Sequence, residues 1–177
     1  EGTAAAEAMT QLVTEHGLDA ASVAGIEVLL PPYGARVVDG RTMPDVNLQY
    51  CMAAILLDGG QLTFEATHTY ERLDDPAVVA LMAKVKLSPE PKFKDMERQR
   101  PATVRITTTS GQLHERHIPA VRGTSDSPMT RDEVDAKALD LIASVQGDTK
   151  ARVLVDAVWG LSASNAARDL RPLLAIG

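Results

Sequence analysis

Tyr50 is the residue of this sequence whose placement most needs a chemical explanation. It lies on the side of a predicted helix opposite the core-facing stripe, just after a loop that carries Arg41 and Asn47. A phenol in a cleft can donate a hydrogen bond or relay a proton, and a guanidinium fits a carboxylate with two prongs. We therefore take Tyr50 as the candidate catalytic residue, and Arg41 and Asn47 as candidate substrate-binding residues. The alternative is a tyrosine that fills a second packing interface, with its hydroxyl bonded inside the chain.

The histidines and the single cysteine form no metal-binding pattern. His16, His68, His114 and His117 are scattered, and Cys51 has no partner at ligand spacing. Because Cys51 lies in an apolar run, it is expected to be a small buried side chain. The sequence also contains no phosphate loop, glycine-rich dinucleotide fingerprint or nucleophile elbow. We predict no metal site and no cofactor.

The composition is that of a globular chain and argues against several classes of partner. Of 177 residues, 45% are hydrophobic and 24% are charged, with a net charge of -6. Nucleic-acid-binding proteins usually present a basic face, which this sequence does not offer. No stretch approaches the roughly 20 consecutive apolar residues of a membrane span. We expect a chain that binds neither nucleic acid nor membranes, and the lone cysteine favours a cytoplasmic location.

Hydrophobic spacing predicts the elements that would position these side chains. A helix capped by Thr3 is expected to end at Gly17, and a strand over 26–30 is expected to end at a proline pair. Residues 33–45 have the composition of an irregular loop. The next helix, over 48–57, is apolar nearly all round, which indicates burial on both sides.

The second half of the sequence predicts a hairpin followed by helices. Strands are expected over 85–88, 102–108 and 112–119, with Ser110-Gly111 as the turn between the last two. Asp75-Pro76 opens a helix, and the capping box from Thr130 to Glu133 opens another, whose stripe of Val134, Ala138, Leu141, Ile142 and Val145 is expected to be buried. Short helices follow over 152–161 and 166–174. Because strands and helices segregate, we predict an α+β fold with a small antiparallel sheet.

Several stretches of the sequence, taken together, resemble the C-terminal half of the MmgE/PrpD family, which includes 2-methylcitrate dehydratase and cis-aconitate decarboxylase. Each stretch is a loose match, but they occur in the family's order and cover nearly the whole chain. They are Pro44-Asp45-Val46-Asn47-Leu48-Gln49-Tyr50, Ala53-Ala54, Leu56-Leu57-Asp58-Gly59-Gly60, Asp75-Pro76-Ala77-Val78, the hairpin over 104–113, Arg122-Gly123 with Pro128, and residues 130–137.

The resemblance implies a cofactor-free lyase or isomerase that acts on small polycarboxylates. In this family an α+β lid closes over a large helical domain, with the active site between the two. Residues 1–129 would be the lid, and residues 130–177 would be C-terminal helices that pack on it or on the helical domain. Tyr50 matches the lid tyrosine that reaches the cleft. The implied partners are the helical domain of the same enzyme, a polycarboxylate substrate and, at full length, a second copy in a homodimer.

The resemblance also implies that the chain is catalytically incomplete. The family's lysine and histidine ahead of the opening helix would fall before Glu1, and the other catalytic groups belong to the helical domain. We therefore expect no activity from the chain alone. We also expect the second apolar face of the 48–57 helix, formed by Ala53, Ala54 and Leu57, to be partly uncovered. The rival hypothesis is a free-standing, non-catalytic binding or assembly module of the same fold.

Overall fold

The computed structural model describes residues 1–96, 98–162 and 167–175, and the chain divides into two compact units, Glu1–Pro128 and Met129–Gly177. No helix within those described ranges is long and apolar enough to cross a membrane. The first unit contains the helices α1 (Thr3–His16), α2 (Pro32–Val38), α3 (Leu48–Leu57), α4 (Phe64–His68) and α5 (Pro76–Met82), the 3-10 helices Tyr70–Asp74 and Pro91–Phe93, and the strands β1 (Val23–Leu30), β2 (Val85–Pro89), β3 (Ala102–Thr108) and β4 (Leu113–Ile118).

The four strands form one sheet in the order β2-β1-β3-β4. The predicted α+β class and the β3–β4 hairpin are confirmed, and β1 is also antiparallel to β3. The sheet is not purely antiparallel, because β1 and β2 run parallel, with Ile26 opposite Val85. Parallel neighbours need a long crossover connection, and here the chain between β1 and β2 supplies it with the helices α2 to α5.

Two local predictions need correction near the start of the chain. The opening helix ends at Gly17 as expected, in a left-handed conformation (φ 60°), but Thr3 is its first helical residue, and Gly2 occupies the cap position without a side-chain bond. Residues 33–38, expected in a loop, belong to α2. Pro31 ends the strand and Pro32 begins this helix, because the fixed φ of proline suits a first helical turn.

Helix α3 lies at the centre of the first unit's core. It contacts α1, α5 and β2, so apolar neighbours surround it, as the all-round apolar pattern predicts. Our expectation of a partly uncovered second face is wrong for Ala53 and Ala54, whereas Leu57 keeps part of its surface exposed. Ala53 and Ala54 are completely buried and Leu57 is half-buried against the core, because α1 and α5 cover the helix from within the same chain.

The second unit contains α6 (Arg131–Gln146), α7 (Asp148–Trp159) and the 3-10 helices Gly160–Ser162 and Ala167–Leu174. The Thr130–Glu133 capping box is confirmed. The predicted helix over 166–174 begins at a residue outside the described ranges. The α6 stripe is not buried as expected: no residue of α6 is fully buried, and Leu141 and Val145 are exposed. The two α-helices and two 3-10 helices of this unit supply too little surface to cover the stripe, and they leave an apolar groove of about 270 Å³.

The glycine pair that follows α3 lets the chain pass close to α1. Gly60 has φ 94°, and a Cβ atom there would lie 2.6 Å from Thr14 Cγ2 and 3.5 Å from the Thr10 carbonyl oxygen. Thr14 is held in place, because its hydroxyl donates hydrogen bonds to the carbonyls of Thr10 and Gln11. Gly59 also has positive φ (65°), but a Cβ there would meet nothing within 4 Å.

We expect Gly60→Ala to lower the free energy of unfolding by about 2–4 kcal/mol. The left-handed backbone costs a non-glycine residue about 1–2 kcal/mol, and the added methyl group overpacks the contact with α1. Gly59→Ala, the matched control, should cost only the backbone term of about 1–2 kcal/mol. Urea denaturation of both variants measures the difference, and equal losses would contradict the close approach to α1.

Candidate functional site

The N-terminus of α3 is organised by Asn47. Its side-chain oxygen accepts a hydrogen bond from the backbone N–H of Tyr50 at 3.0 Å, which caps the helix. Its side-chain nitrogen donates to the backbone carbonyl of Arg41 at 2.6 Å. Asn47 is only 3% exposed, so its amide fastens the preceding loop to the helix.

Arg41 also makes hydrogen bonds within its own loop. Its guanidinium donates to the carbonyl of Val37 at 2.6 Å and to that of Arg36 at 2.7 Å, at the C-terminal end of α2. Carbonyls at a helix end lack intrahelical partners, and basic side chains commonly bind them there. In this structure the Arg41 side chain therefore caps the C-terminal end of α2.

The structure brings Arg41 and Asn47 to one cleft of about 550 Å³. The cleft also contains Glu71 and Asp74. Both carboxylates belong to exposed residues, and they disfavour a polyanionic ligand because like charges repel. The other lining residues are Thr42, Tyr70, Leu73 and Met82.

Tyr50 lies elsewhere, with its ring completely buried. Its hydroxyl donates a hydrogen bond to the carbonyl of Ala66 in α4. Burial raises the pKa of the phenol, and the neighbouring Arg72 guanidinium opposes that rise through its charge and through hydrogen bonding. The partner that a buried tyrosine requires is thus a backbone carbonyl of the same chain.

The Ala66 backbone that accepts this bond also lines a polar depression of about 370 Å³. An ion pair borders the depression: the Arg72 guanidinium donates to both carboxylate oxygens of Asp58, at 2.8 and 2.6 Å. The other lining residues are Gln61, Thr63, Glu65 and Thr69. The Tyr50 hydroxyl therefore bonds to a residue that lines this depression, and not to one that lines the cleft with Arg41 and Asn47.

The remaining reactive side chain near the site is that of Cys51. It is buried, and its thiol donates to the carbonyl of Pro44. Burial raises the pKa of the thiol to about 11, so the nucleophilic thiolate is scarce at neutral pH. Among residues 1–96, 98–162 and 167–175, no group of three or more His, Cys, Asp or Glu side chains could hold a metal ion.

Arg72 was not singled out by sequence reasoning. It lies in a short 3-10 helix, and nothing in its spacing links it to Tyr50. The sequence identified Asp58 only as part of a motif that ends a helix, although its spacing from Tyr50 also relates the two residues. Tyr50, Ala54 and Asp58 recur every fourth residue, so they share one face of α3.

These features define an α+β domain whose central helix carries a buried tyrosine, bonded to a residue at the edge of a polar depression. The family model described as MmgE/PrpD C-terminal domain matches residues 2–162. Because the match spans most of the sequence, the chain belongs to the MmgE/PrpD family as its C-terminal domain, which confirms the resemblance. No curated protein matches the chain.

Asn47→Ala should lower the free energy of unfolding by about 2 kcal/mol. The substitution removes the helix cap, worth about 0.5–2 kcal/mol, and the hydrogen bond to the Arg41 carbonyl, worth about 0.5–1.5 kcal/mol. Asn47→Ser keeps a capping oxygen and should lose clearly less. Denaturant titrations of both variants decide the point. A fully stable Asn47→Ala protein would show that the amide is free for another role.

Proposed function

We propose that this chain is the α+β lid of a cofactor-free lyase or isomerase acting on small polycarboxylates. The observation that carries the proposal is the family match over residues 2–162. In the proposed enzyme a helical domain of the same protein completes the active site, and the full-length protein is a homodimer. The single cysteine supports a cytoplasmic setting for this reaction.

In this proposal Tyr50 is the catalytic contribution of the lid. Its hydroxyl lies beside a polar depression, and the bond to Ala66 can be exchanged for one to a substrate oxygen if α4 shifts. Helix α4 has only five residues, Phe64–His68, and is capped by Thr63, so it is the element whose movement would uncover the hydroxyl. Arg41 and Asn47 hold the loop that precedes α3, and they would contact the substrate only from the edge of the active site.

The described side chains around Tyr50 support catalytic incompleteness. Removing a proton beside a carboxylate needs a positioned base and donors that stabilise the developing charge. The depression lined by Asp58, Glu65 and Arg72 offers a guanidinium already paired with a carboxylate, and its lining includes no lysine or histidine. A second domain would have to supply the missing groups.

One observation favours the rival function, a non-catalytic binding or assembly module. Tyr50, Arg41 and Asn47 all have hydrogen-bond partners within the chain, as residues with a purely structural role would. In that case the polar residues of the site serve only to hold α3 and its loop. The kinetics of the lid in a complete enzyme separate the two functions.

The 177-residue chain on its own should show no saturable turnover of 2-methylcitrate or cis-aconitate. Combined with the helical domain of an MmgE/PrpD enzyme, as a fusion or in trans, it should regain activity because the base and the charge-stabilising groups return. The helical domain alone is the control. Saturable turnover by the isolated chain would contradict the proposal that a second domain completes the active site.

Tyr50→Phe in such a complete enzyme should lower kcat and kcat/KM together by about a hundredfold to ten-thousandfold. The substitution also leaves the Ala66 carbonyl unpaired, at a cost of about 1–3 kcal/mol of stability. A lower melting temperature is therefore expected from either role, and the rate decides. Tyr33→Phe, which changes an exposed tyrosine, is the control. Unchanged kcat with lowered stability would assign Tyr50 to packing.

A further inference from the structure

The C-terminal end of α3 carries a charge that the helix itself disfavours. Asp58 is the C-cap residue of α3, where the partial negative charge of the helix dipole lies. A carboxylate at that end is destabilising unless a cation compensates it. Asp58 also lines the depression that contains Ala66, the residue to which the Tyr50 hydroxyl is bonded, so a cation paired with Asp58 lies on the same side of the domain as that bond.

Arg72 supplies that cation in a defined orientation. Its two terminal nitrogens each donate to a different oxygen of Asp58, at 2.8 and 2.6 Å, and both side chains are mostly shielded, with exposures of 25% and 29%. A two-pronged arginine–carboxylate pair fixes the plane of the guanidinium as well as its distance. The 3-10 helix Tyr70–Asp74 is thereby attached to α3 beside the depression.

We infer that Arg72 is a positioning residue for the Tyr50 hydroxyl, oriented by the Asp58 carboxylate two helical turns further along α3. The inference rests on the proposed function for its place in a reaction. The hydroxyl donates a hydrogen bond to the Ala66 carbonyl, and the positive charge of the Arg72 guanidinium on the same depression favours an electron-rich phenol oxygen. Asp58, Ala66 and Arg72 line the same depression.

The electrostatic consequence has a definite sign. Burial raises the pKa of Tyr50, Asp58 and Cys51 add to the rise, and Arg72 opposes it. Removing Arg72 therefore raises the pKa further and makes the phenol a poorer proton donor. A guanidinium that served only to attach the 3-10 helix would affect stability and leave the ionisation of the phenol unchanged.

The test replaces Tyr50 in the 177-residue chain with 3,5-difluorotyrosine, whose phenol ionises nearer neutral pH, and follows its 19F resonance against pH. Arg72→Gln should raise the midpoint of ionisation by about one to three pH units, because an opposite charge within contact distance shifts a pKa by that much. Arg72→Lys keeps the positive charge but loses the two-pronged geometry of the guanidinium, and it should produce a smaller rise of the midpoint. It also replaces Arg72→Gln if that variant fails to fold.

Arg105→Gln is the matched control. It removes an arginine that is likewise ion-paired, with Glu115, but lies on a strand of the sheet, and it should leave the midpoint unchanged. If Arg72→Gln keeps the native circular dichroism spectrum and the midpoint does not move, the inference is overturned.

A double-mutant cycle in the complete enzyme separates this inference from the proposed function. If Arg72 acts through the hydroxyl, Arg72→Gln lowers kcat in the Tyr50 enzyme and has no further effect in the Tyr50→Phe enzyme. Equal losses in both backgrounds would overturn the inference while leaving the catalytic role of Tyr50 intact. If Tyr50→Phe retains full kcat, the proposed catalytic role of Tyr50 fails, and the 19F titration alone decides whether Arg72 positions the phenol.

Discussion

Helix α3 is buried along most of its surface, and the polar groups at its two ends must be satisfied within the same chain. Eight of its ten residues are buried, Gln49 and Leu57 are partly exposed, and α1, α5 and β2 pack against the helix. At the N-terminus Asn47 caps the backbone, and at the C-terminus Gly60 passes α1 at a distance that excludes a side chain. The arrangement of the loops around α3 follows from these two requirements.

The same constraint explains why the candidate polar residues are already engaged. Asn47 and Arg41 form the connection between α2 and α3, and the Asp58–Arg72 pair offsets an unfavourable charge at the far end of α3. Any chemistry of this domain is therefore built on groups that also maintain its packing. The Tyr50 hydroxyl is engaged in the same way, through its hydrogen bond to the Ala66 carbonyl.

Much of the fold was predictable because its signals are local. The α3 boundaries at Leu48 and Leu57, the Asp75-Pro76 helix start and the Thr130 capping box are each determined by a few adjacent residues. Predictions failed where distant parts of the chain decide. The parallel pairing of β1 with β2 depends on the whole crossover between them, and the covering of Ala53 and Ala54 depends on helices remote in sequence.

The sequence by itself determined the fold class, the family and the choice of Tyr50 as the residue to explain, because periodicity and motif order are properties of neighbouring residues. Only the tertiary structure decided the partners of that tyrosine. Ala66 and Arg72 lie 16 and 22 positions further along the chain. Ala66 is held in place because Thr63 caps the short helix that contains it, and Arg72 is held because Asp58 binds its guanidinium. Neither contact can be predicted from the spacing of residues in the sequence. The separation of the Arg41 cleft from the Tyr50 depression has the same origin, since side-chain direction across a packed helix depends on what covers each face.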